Sequence, residues 1–236
     1  MGFLKKYFRK AKFAKNFSLK RDALEDHRFS MNWDDRYPCL NDATSTTGFD
    51  AHYLFHTAWA ARVLAQLKPD LHIDISSCLR FVSLVSAFVP VHFYDYRPAQ
   101  LNLSGLQSSK ADLMHLPFGD DTVQSLSCMH VIEHIGLERY GDPFDPKGDI
   151  KAIDELKRVL AKNGNLLFVV PLGATARIQY NAHRIYDYEQ IISYFENLNL
   201  VDFSYINDAG EFIPNATKEN TIGQIYGCGC FHFKKK

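Results

Sequence analysis

Leu71-His72-Ile73-Asp74-Ile75-Ser76-Ser77-Cys78-Leu79-Arg80 is the stretch that decides the fold. An apolar run ends beside an acid, crosses three small residues and opens a helical pattern. That is the strand–loop–helix order with which α/β sheets hold nucleoside cofactors. No glycine follows Asp74 before the next apolar run, so the loop lacks the residue type that usually lets backbone press against a ligand.

Outward from this stretch the chain alternates. Upstream, residues 52–67 place Leu54, Ala58, Ala61, Val63, Leu64 and Leu67 mostly on one helical face, and Lys68-Pro69-Asp70 stops the pattern. This helix is expected to pack beside the first strand, residues 71–75. Downstream, residues 79–88 read as a helix and 91–95 as the second strand; 109–111 and 124–129 read as the third and fourth. Residues 149–160 carry Ile150, Ile153, Leu156, Val159 and Leu160 on one helical face, with Asn163-Gly164 as the expected stop. Residues 165–170 form a near-continuous apolar run, as in a strand buried on both faces. A helix at 188–197 and strands at 200–205 and 223–233 complete the pattern. The alternation predicts a parallel-type sheet covered on both sides.

The chain has 236 residues, 46% hydrophobic and 23% charged, which suits a core domain at 51–236 preceded by an extension at 1–50. No apolar run approaches the roughly 20 residues that span a bilayer, and the N-terminus lacks the pattern of a secretory signal. Five cysteines (Cys39, Cys78, Cys128, Cys228 and Cys230) form no even framework, so reduced thiols in the cytoplasm are expected. Cys228 and Cys230 would share one face of a strand, a spacing narrower than zinc sites use, and no metal is expected.

The formal net charge of zero hides an asymmetry. Residues 1–21 hold eight of the 27 Lys and Arg residues and no acid, leaving the remainder with 19 basic against 27 acidic residues, or −8. An acidic body does not suit DNA or RNA, whose phosphates need a basic surface. Within residues 1–21, Phe3, Leu4, Tyr7, Phe8, Ala11 and Ala14 fall at helical spacing among the basic residues, with Phe13 off the stripe. Such a helix suits the anionic inner face of a membrane, a partner protein or its own domain. The polar stretch 22–50, with Trp33-Asp34-Asp35-Arg36-Tyr37-Pro38, reads as a surface arm or a lid.

Ligands of such sheets sit beyond the carboxyl ends of the strands. The candidates are therefore Asp74 with Ser76, Ser77 and Cys78, then Asp95, which lies 21 residues beyond Asp74 at a distance suited to ribose hydroxyls. Asp112 follows the third strand, and His130, Glu133 and His134 follow the fourth. His130-x-x-Glu133-His134 matches an inverted zinc-protease signature in form only, because that motif belongs within a helix and this one follows a strand. His134 suits a general base near neutral pH, while Glu133 reads as a brace for the next loop. Residues 136–148 offer Arg139, Tyr140, Asp142, Asp145 and Lys147 to a substrate pocket. The two acids could bind a metal with the substrate or serve as solvated turn acids. Asn181, His183 and Arg184 follow the fifth strand; His183 rivals His134 as base, and Arg184 suits a phosphate or carboxylate.

Three runs carry a resemblance. Residues 111–118 (Ala111-Asp112-Leu113-Met114-His115-Leu116-Pro117-Phe118), 122–134 and 158–166 resemble class I S-adenosylmethionine-dependent methyltransferases over about residues 70–173. Residues 130–143 and Asn181-Ala182-His183-Arg184 resemble, more narrowly, an uncharacterised methyltransferase-like branch associated with bacterial surface-glycan synthesis. The resemblance implies a Rossmann-like sheet with helices on both faces and S-adenosylmethionine as cofactor. It implies Asp74 and the Ser76–Cys78 loop around the methionine part, Asp95 on the ribose, Asp112 and Leu113 at the adenine, and His130 beside the cofactor. Ser76, Cys78 and Arg80 stand where that family usually has glycines, and Gln124 where it often has an acid. The implied reaction is methyl transfer to an oxygen of a sugar or another small polar acceptor. Two alternatives keep the fold: a non-catalytic scaffold held at a membrane surface by residues 1–21, and a nucleotide-sugar enzyme using Arg80 on a phosphate. The missing glycines favour the scaffold, and the retained acids and His134 favour the enzyme.

Overall fold

The computed structural model describes residues 2–24 and 28–236, and side chains from residue 10 onward. The stripe residues Phe3, Leu4, Tyr7 and Phe8 therefore lie outside the described side chains. The chain divides into two compact units, Met1–Phe49 and Asp50–Lys236.

In the first unit, α1 (Gly2–Asp22) leads into an arm with a short 3-10 turn at Trp33–Asp35. The Trp33 ring takes the edge of Phe17 at 5.0 Å and lies 6.2 Å from Phe13, the residue that falls off the sequence stripe. The Arg36 guanidinium lies 4.5 Å above Trp33 and donates to its carbonyl at 2.7 Å. No described helix is long and apolar enough to cross a membrane.

The second unit opens with α2 (Ala51–Leu67), where the Asp50 carboxylate accepts the Tyr53 N–H and Lys68 ends the helix in the left-handed region. There follow β1 (His72–Ile75), α3 (Leu79–Val85), β2 (Val91–Asp95), β3 (Leu106–Lys110), β4 (Val123–Met129), α4 (Gly148–Val159) and β5 (Leu160–Leu172). A small hairpin, β6 (Arg177–Gln179) and β7 (His183–Ile185), precedes α5 (Tyr188–Tyr194), β8 (Leu198–Ile206), β9 (Phe212–Ile213) and β10 (Gly227–Lys235). The main sheet runs β3-β2-β1-β4-β5-β10-β8-β9.

Five strands, β3 through β5 in that order, are mutually parallel, but β10, β8 and β9 continue the sheet antiparallel. The parallel expectation therefore covers only one side. Antiparallel neighbours need no crossover helix, and none of the described helices separates β8, β9 and β10 beyond one 3-10 turn. The period of two along β5 serves both faces. Leu166, Phe168 and Val170 enter one core cluster with Ile153 and Leu156 of α4 and Ile191 of α5. Leu167 and Val169 enter the other, with Trp59 and Leu64 of α2 and Phe81, Val82 and Val85 of α3.

Several expected boundaries move: α3 and α5 stop three residues early, and the last strand begins at Gly227 rather than residue 223. The third strand spans Leu106–Lys110 rather than residues 109–111. Asn163-Gly164 does not end α4, because Leu160 already belongs to β5 and the pair sits where the β4–β5 register shifts. A Cβ on Gly164 would lie 2.7 Å from the Ala161 carbonyl oxygen and 3.0 Å from that of Val123. The glycine serves close backbone approach in a bulged strand, not a helix cap.

Candidate active site

The parallel strands end at a cavity of about 410 Å³. Ser76, Ser77 and Cys78 line it after β1, Asp95 at the end of β2, Asp112 and Leu113 after β3, and His130 after β4. Each acid is fixed by a turn bond. Asp95 Oδ1 accepts the Arg97 N–H at 2.7 Å, and Asp112 Oδ1 accepts the Met114 N–H at 2.9 Å. One oxygen of each carboxylate is thereby committed to holding the loop, and the second can serve a ligand.

The loop itself keeps a glycine-type conformation without glycine. Ser76 has φ of 57° and donates its N–H to the Tyr94 carbonyl at 2.7 Å. The Ser77 hydroxyl accepts the Met129 N–H at 3.1 Å, tying the loop to the end of β4. Asp74 does not line the cavity. It is fully buried beneath the loop, accepts the Ser77 N–H at 3.1 Å and takes a short hydrogen bond from the Ser127 hydroxyl. His72, also buried, bonds Ser125 and Ser127 at 2.8 Å each. Burial raises the Asp74 carboxyl to about 6 and lowers His72 to about 3. Asp74 thus shapes the loop from below rather than meeting a ligand. Arg80, exposed on α3, lines neither of the two cavities described here.

A second cavity of about 330 Å³ adjoins the first and shares Tyr53, His130, His134 and Tyr140 with it. Its other walls include His52, Glu133, Arg139, His183 and Tyr226. The His134 Nδ1 and the Arg139 guanidinium both lie 2.9 Å from the Ala182 carbonyl oxygen. In the tautomer whose Nδ1–H donates to the Ala182 carbonyl, with Arg139 sharing that carbonyl rather than bonding Nδ1 3.2 Å away, Nε2 keeps a lone pair. Burial holds His134 below the ordinary histidine value, so its ring is neutral at pH 7. His183, the second base candidate, has its ring 5.9 Å from His134 and stacks on Tyr226 at 5.4 Å. Its Nε2 is buried with no hydrogen-bond partner among the described residues.

Glu133 has a larger place than that of a loop brace. It is 1% exposed, its Oε1 accepts from His130 Nδ1 at 2.9 Å, and its Oε2 has no partner among the described residues. Burial pushes its carboxyl up to about 7. His130 has φ of 57°, and burial pushes its ring down to about 4.

The remaining expected substrate residues divide. Tyr140 and Asp142 line the first cavity, and the Arg97 and Arg139 guanidinium groups lie 5.2 and 5.1 Å from the Tyr140 ring. Asp145 pairs with Lys151 at 2.5 Å and accepts the Lys147 N–H, as a turn acid does. Arg184 is a correction: it is 7% exposed, donates to the Ile135 carbonyl at 2.7 Å and pairs with buried Asp149, leaving nothing for a substrate anion. Asn181 is another, exposed at φ of 60° in the β6–β7 turn and lining neither cavity. Sequence reasoning missed His52, Tyr53 and Tyr226. The only advance signal was His52 and His56 one helical turn apart on α2.

Comparison with known proteins bears on this arrangement. A family described as "Caenorhabditis protein of unknown function, DUF268" matches residues 113–214. An uncharacterized protein of Methanocaldococcus jannaschii, MJ0638, is 33% identical over 60 residues, 25% of this chain; the match spans about a fifth (21%) of that protein. Among solved structures, 1,6-didemethyltoxoflavin-N1-methyltransferase of Burkholderia thailandensis is similar at a TM-score of 0.56, with 11% identity, covering 99% of this chain and 89% of that one. The N-methyltransferase NodS of Bradyrhizobium japonicum WM9 is similar at 0.54 and 15% identity, covering 78% of this chain and 87% of its own. The fold is that of the class I methyltransferases. Both of those structures hold S-adenosylhomocysteine. The [4+2]-cyclase SpnF is similar at 0.53 and 11% identity, over 75% of this chain and 80% of that one, so this fold alone does not fix a reaction.

Proposed function

We propose that the chain binds S-adenosylmethionine in the first cavity and transfers its methyl group to an oxygen of a small polar acceptor, such as a sugar, in the second. One observation carries this reading: a single 410 Å³ cavity is lined at once by the loop after β1, Asp95, Asp112 and His130. Its volume lies within the range of small-molecule sites. Asp95 would accept from the ribose hydroxyls, Asp112 and Leu113 would meet the adenine, and Ser76 to Cys78 would receive the methionine part. When bound, the cofactor supplies an electrophilic methyl group on its sulfonium.

The chain's own contribution is orientation and proton removal. His134, neutral and held through Nδ1, presents Nε2 as the base that takes the acceptor's hydroxyl proton as the new O–CH3 bond forms. His183, with its unpartnered Nε2, would orient the acceptor across the same cavity. Arg139 and Tyr140 would bound it.

Calorimetry with S-adenosylmethionine, S-adenosylhomocysteine and a nucleotide-sugar tests the reading. Micromolar binding of the first two is expected. No heat from either at millimolar concentration would defeat it, and binding of the nucleotide-sugar alone would transfer the fold to other chemistry.

A further inference from the structure

Three donor atoms converge where His52 and His130 line the second cavity and buried Cys228 lies behind them, and methyl transfer leaves two of these residues unused. His52 in the first turn of α2, His130 after β4 and Cys228 in β10 each offer one ligand atom, and these atoms lie within 4.8 Å of one another. Cys228 Sγ stands 3.3 Å from His130 Nε2. Two ligands on one tetrahedral zinc ion, with Zn–S of about 2.3 Å and Zn–N of about 2.0 Å, would be about 3.5 Å apart.

The surroundings fit as well. A ligating imidazole usually donates its other ring N–H to a carboxylate or a backbone carbonyl, which fixes its tautomer and orientation. His130 has that support, its Nδ1 lying 2.9 Å from Glu133 Oε1. The His52 ring is packed against that of Tyr226, their centroids 5.0 Å apart. The three ligands come from α2, β4 and β10, elements joined only in the folded chain. Glu133, fully buried with one oxygen unpartnered among the described residues, is a carboxylate whose burial a nearby cation would compensate.

We propose that His52, His130 and Cys228 bind one Zn²⁺ ion whose fourth coordination position opens into the second cavity. The donor set selects the ion: two imidazoles and a thiolate favour a borderline-soft divalent metal over Mg²⁺ or Ca²⁺. The ligand number sets the role, since structural zinc sites use four protein ligands and catalytic ones three. The open position would receive the acceptor's hydroxyl and lower its pKa, so that its proton passes to His134 and a stronger oxygen nucleophile stands at the junction of the two cavities. That last step rests on the methyl-transfer reading; ion binding does not.

The test is titration of the metal-stripped full chain with Co²⁺, which reports thiolate ligation by a charge-transfer band. One Co²⁺ per chain is expected, competed out by Zn²⁺. Cys228→Ser should abolish the charge-transfer band and weaken binding at least about tenfold. His52→Ala should keep the band and weaken binding by a similar factor, while Cys39→Ser, at an exposed thiol, should change nothing. Should Cys228→Ser fail to fold, as judged by circular dichroism, the wild type and His52→Ala carry the test. Absence of Co²⁺ binding at submillimolar metal, binding unaffected by His52→Ala, or a band that survives in folded Cys228→Ser overturns the site. S-adenosylhomocysteine binding measured on the same preparation separates the two readings. A chain that takes Co²⁺ but not this ligand keeps the metal site and loses methyl transfer, and the converse loses the metal site alone.

Discussion

The first cavity draws its walls from the ends of successive parallel strands, whereas the second collects side chains from α2, the turn after β4, β7 and the approach to β10. In the first, a residue's place follows from its position after a strand. In the second, it follows from β10 being inserted antiparallel between β5 and β8, which brings Tyr226 and Cys228 beside residues a hundred positions earlier. One region is specified by local order and the other by long-range pairing. They are therefore expected to respond separately to substitution.

The largest expected effect tests that separation. On the proposed reading, Asp95→Ala would remove a carboxylate that accepts from two ribose hydroxyls, each such bond being worth about 1.5–3 kcal/mol. S-adenosylhomocysteine affinity should fall at least about 100-fold by calorimetry. His134→Ala and His183→Ala should leave it within about threefold. An equal loss in the histidine variants would show that the two cavities form one binding site.

This contrast also explains what was legible in the sequence. The order Asp74, Asp95, Asp112, His130 was readable because each follows an apolar run, and strand ends fix position without any knowledge of side-chain packing. The same pattern puts Asp74 one layer too high. Nothing in its spacing distinguishes an acid that meets a ligand from one that holds the loop from below, and only the Ser127 and Ser77 contacts decide it. Arg184 misleads for a related reason: a basic residue near a site suggests an anion, but its partner, Asp149, lies 35 positions away on α4. Of the antiparallel strands, β8 and β10 are legible as elements and two-residue β9 is not, and none is legible as a neighbour, since hydrophobic period reports burial and not pairing direction. His52 read only as one residue of a packing helix.

Beneath the first cavity, Asp74 and His72 make opposing contributions to stability. Asp74 holds its proton up to about pH 6 in the fold and, at its ordinary value of 3.8, releases it earlier when unfolded. The folded state binds more protons between those values, so this contribution is present below 3.8 and lost as pH rises through 6. His72 works the other way. Its ring stays neutral in the fold down to about 3, against an ordinary 6.5, so its contribution is present above 6.5 and lost as pH falls. Asp74→Asn removes only the first. The stability difference, variant minus wild type, should grow by up to about 3 kcal/mol between pH 4 and 7.5 in urea denaturation. A difference that does not move with pH would mean Asp74 is ionised in the fold.

Gly227 offers a perturbation confined to the other region. A Cβ there would lie 2.0 Å from the Tyr205 hydroxyl and 2.6 Å from the Ile206 carbonyl oxygen, so β10 must shift against β8. Gly227→Ala should destabilise by about 2–3 kcal/mol. It should weaken Co²⁺ binding through the neighbouring Cys228, while S-adenosylhomocysteine affinity in the folded fraction changes by less than about threefold. Loss of both would tie the cavities together through the sheet.

The smallest effect concerns the missing glycine. Ser76 sits at φ of 57°, a conformation that costs a residue with a Cβ about 1–2 kcal/mol, and its hydroxyl recovers part of that through the Tyr94 carbonyl at 3.3 Å. Ser76→Gly gives up that bond and also gains freedom in the unfolded chain. The net expectation is a stabilisation of only about 0.5–1 kcal/mol, with cofactor affinity little changed because the backbone already follows the required path. A destabilised variant would show that the serine hydroxyl holds the loop. A large gain in affinity would show that Ser76 keeps the loop from the position a ligand needs. Either result would locate the first cavity's specification in a side chain and narrow its difference from the second.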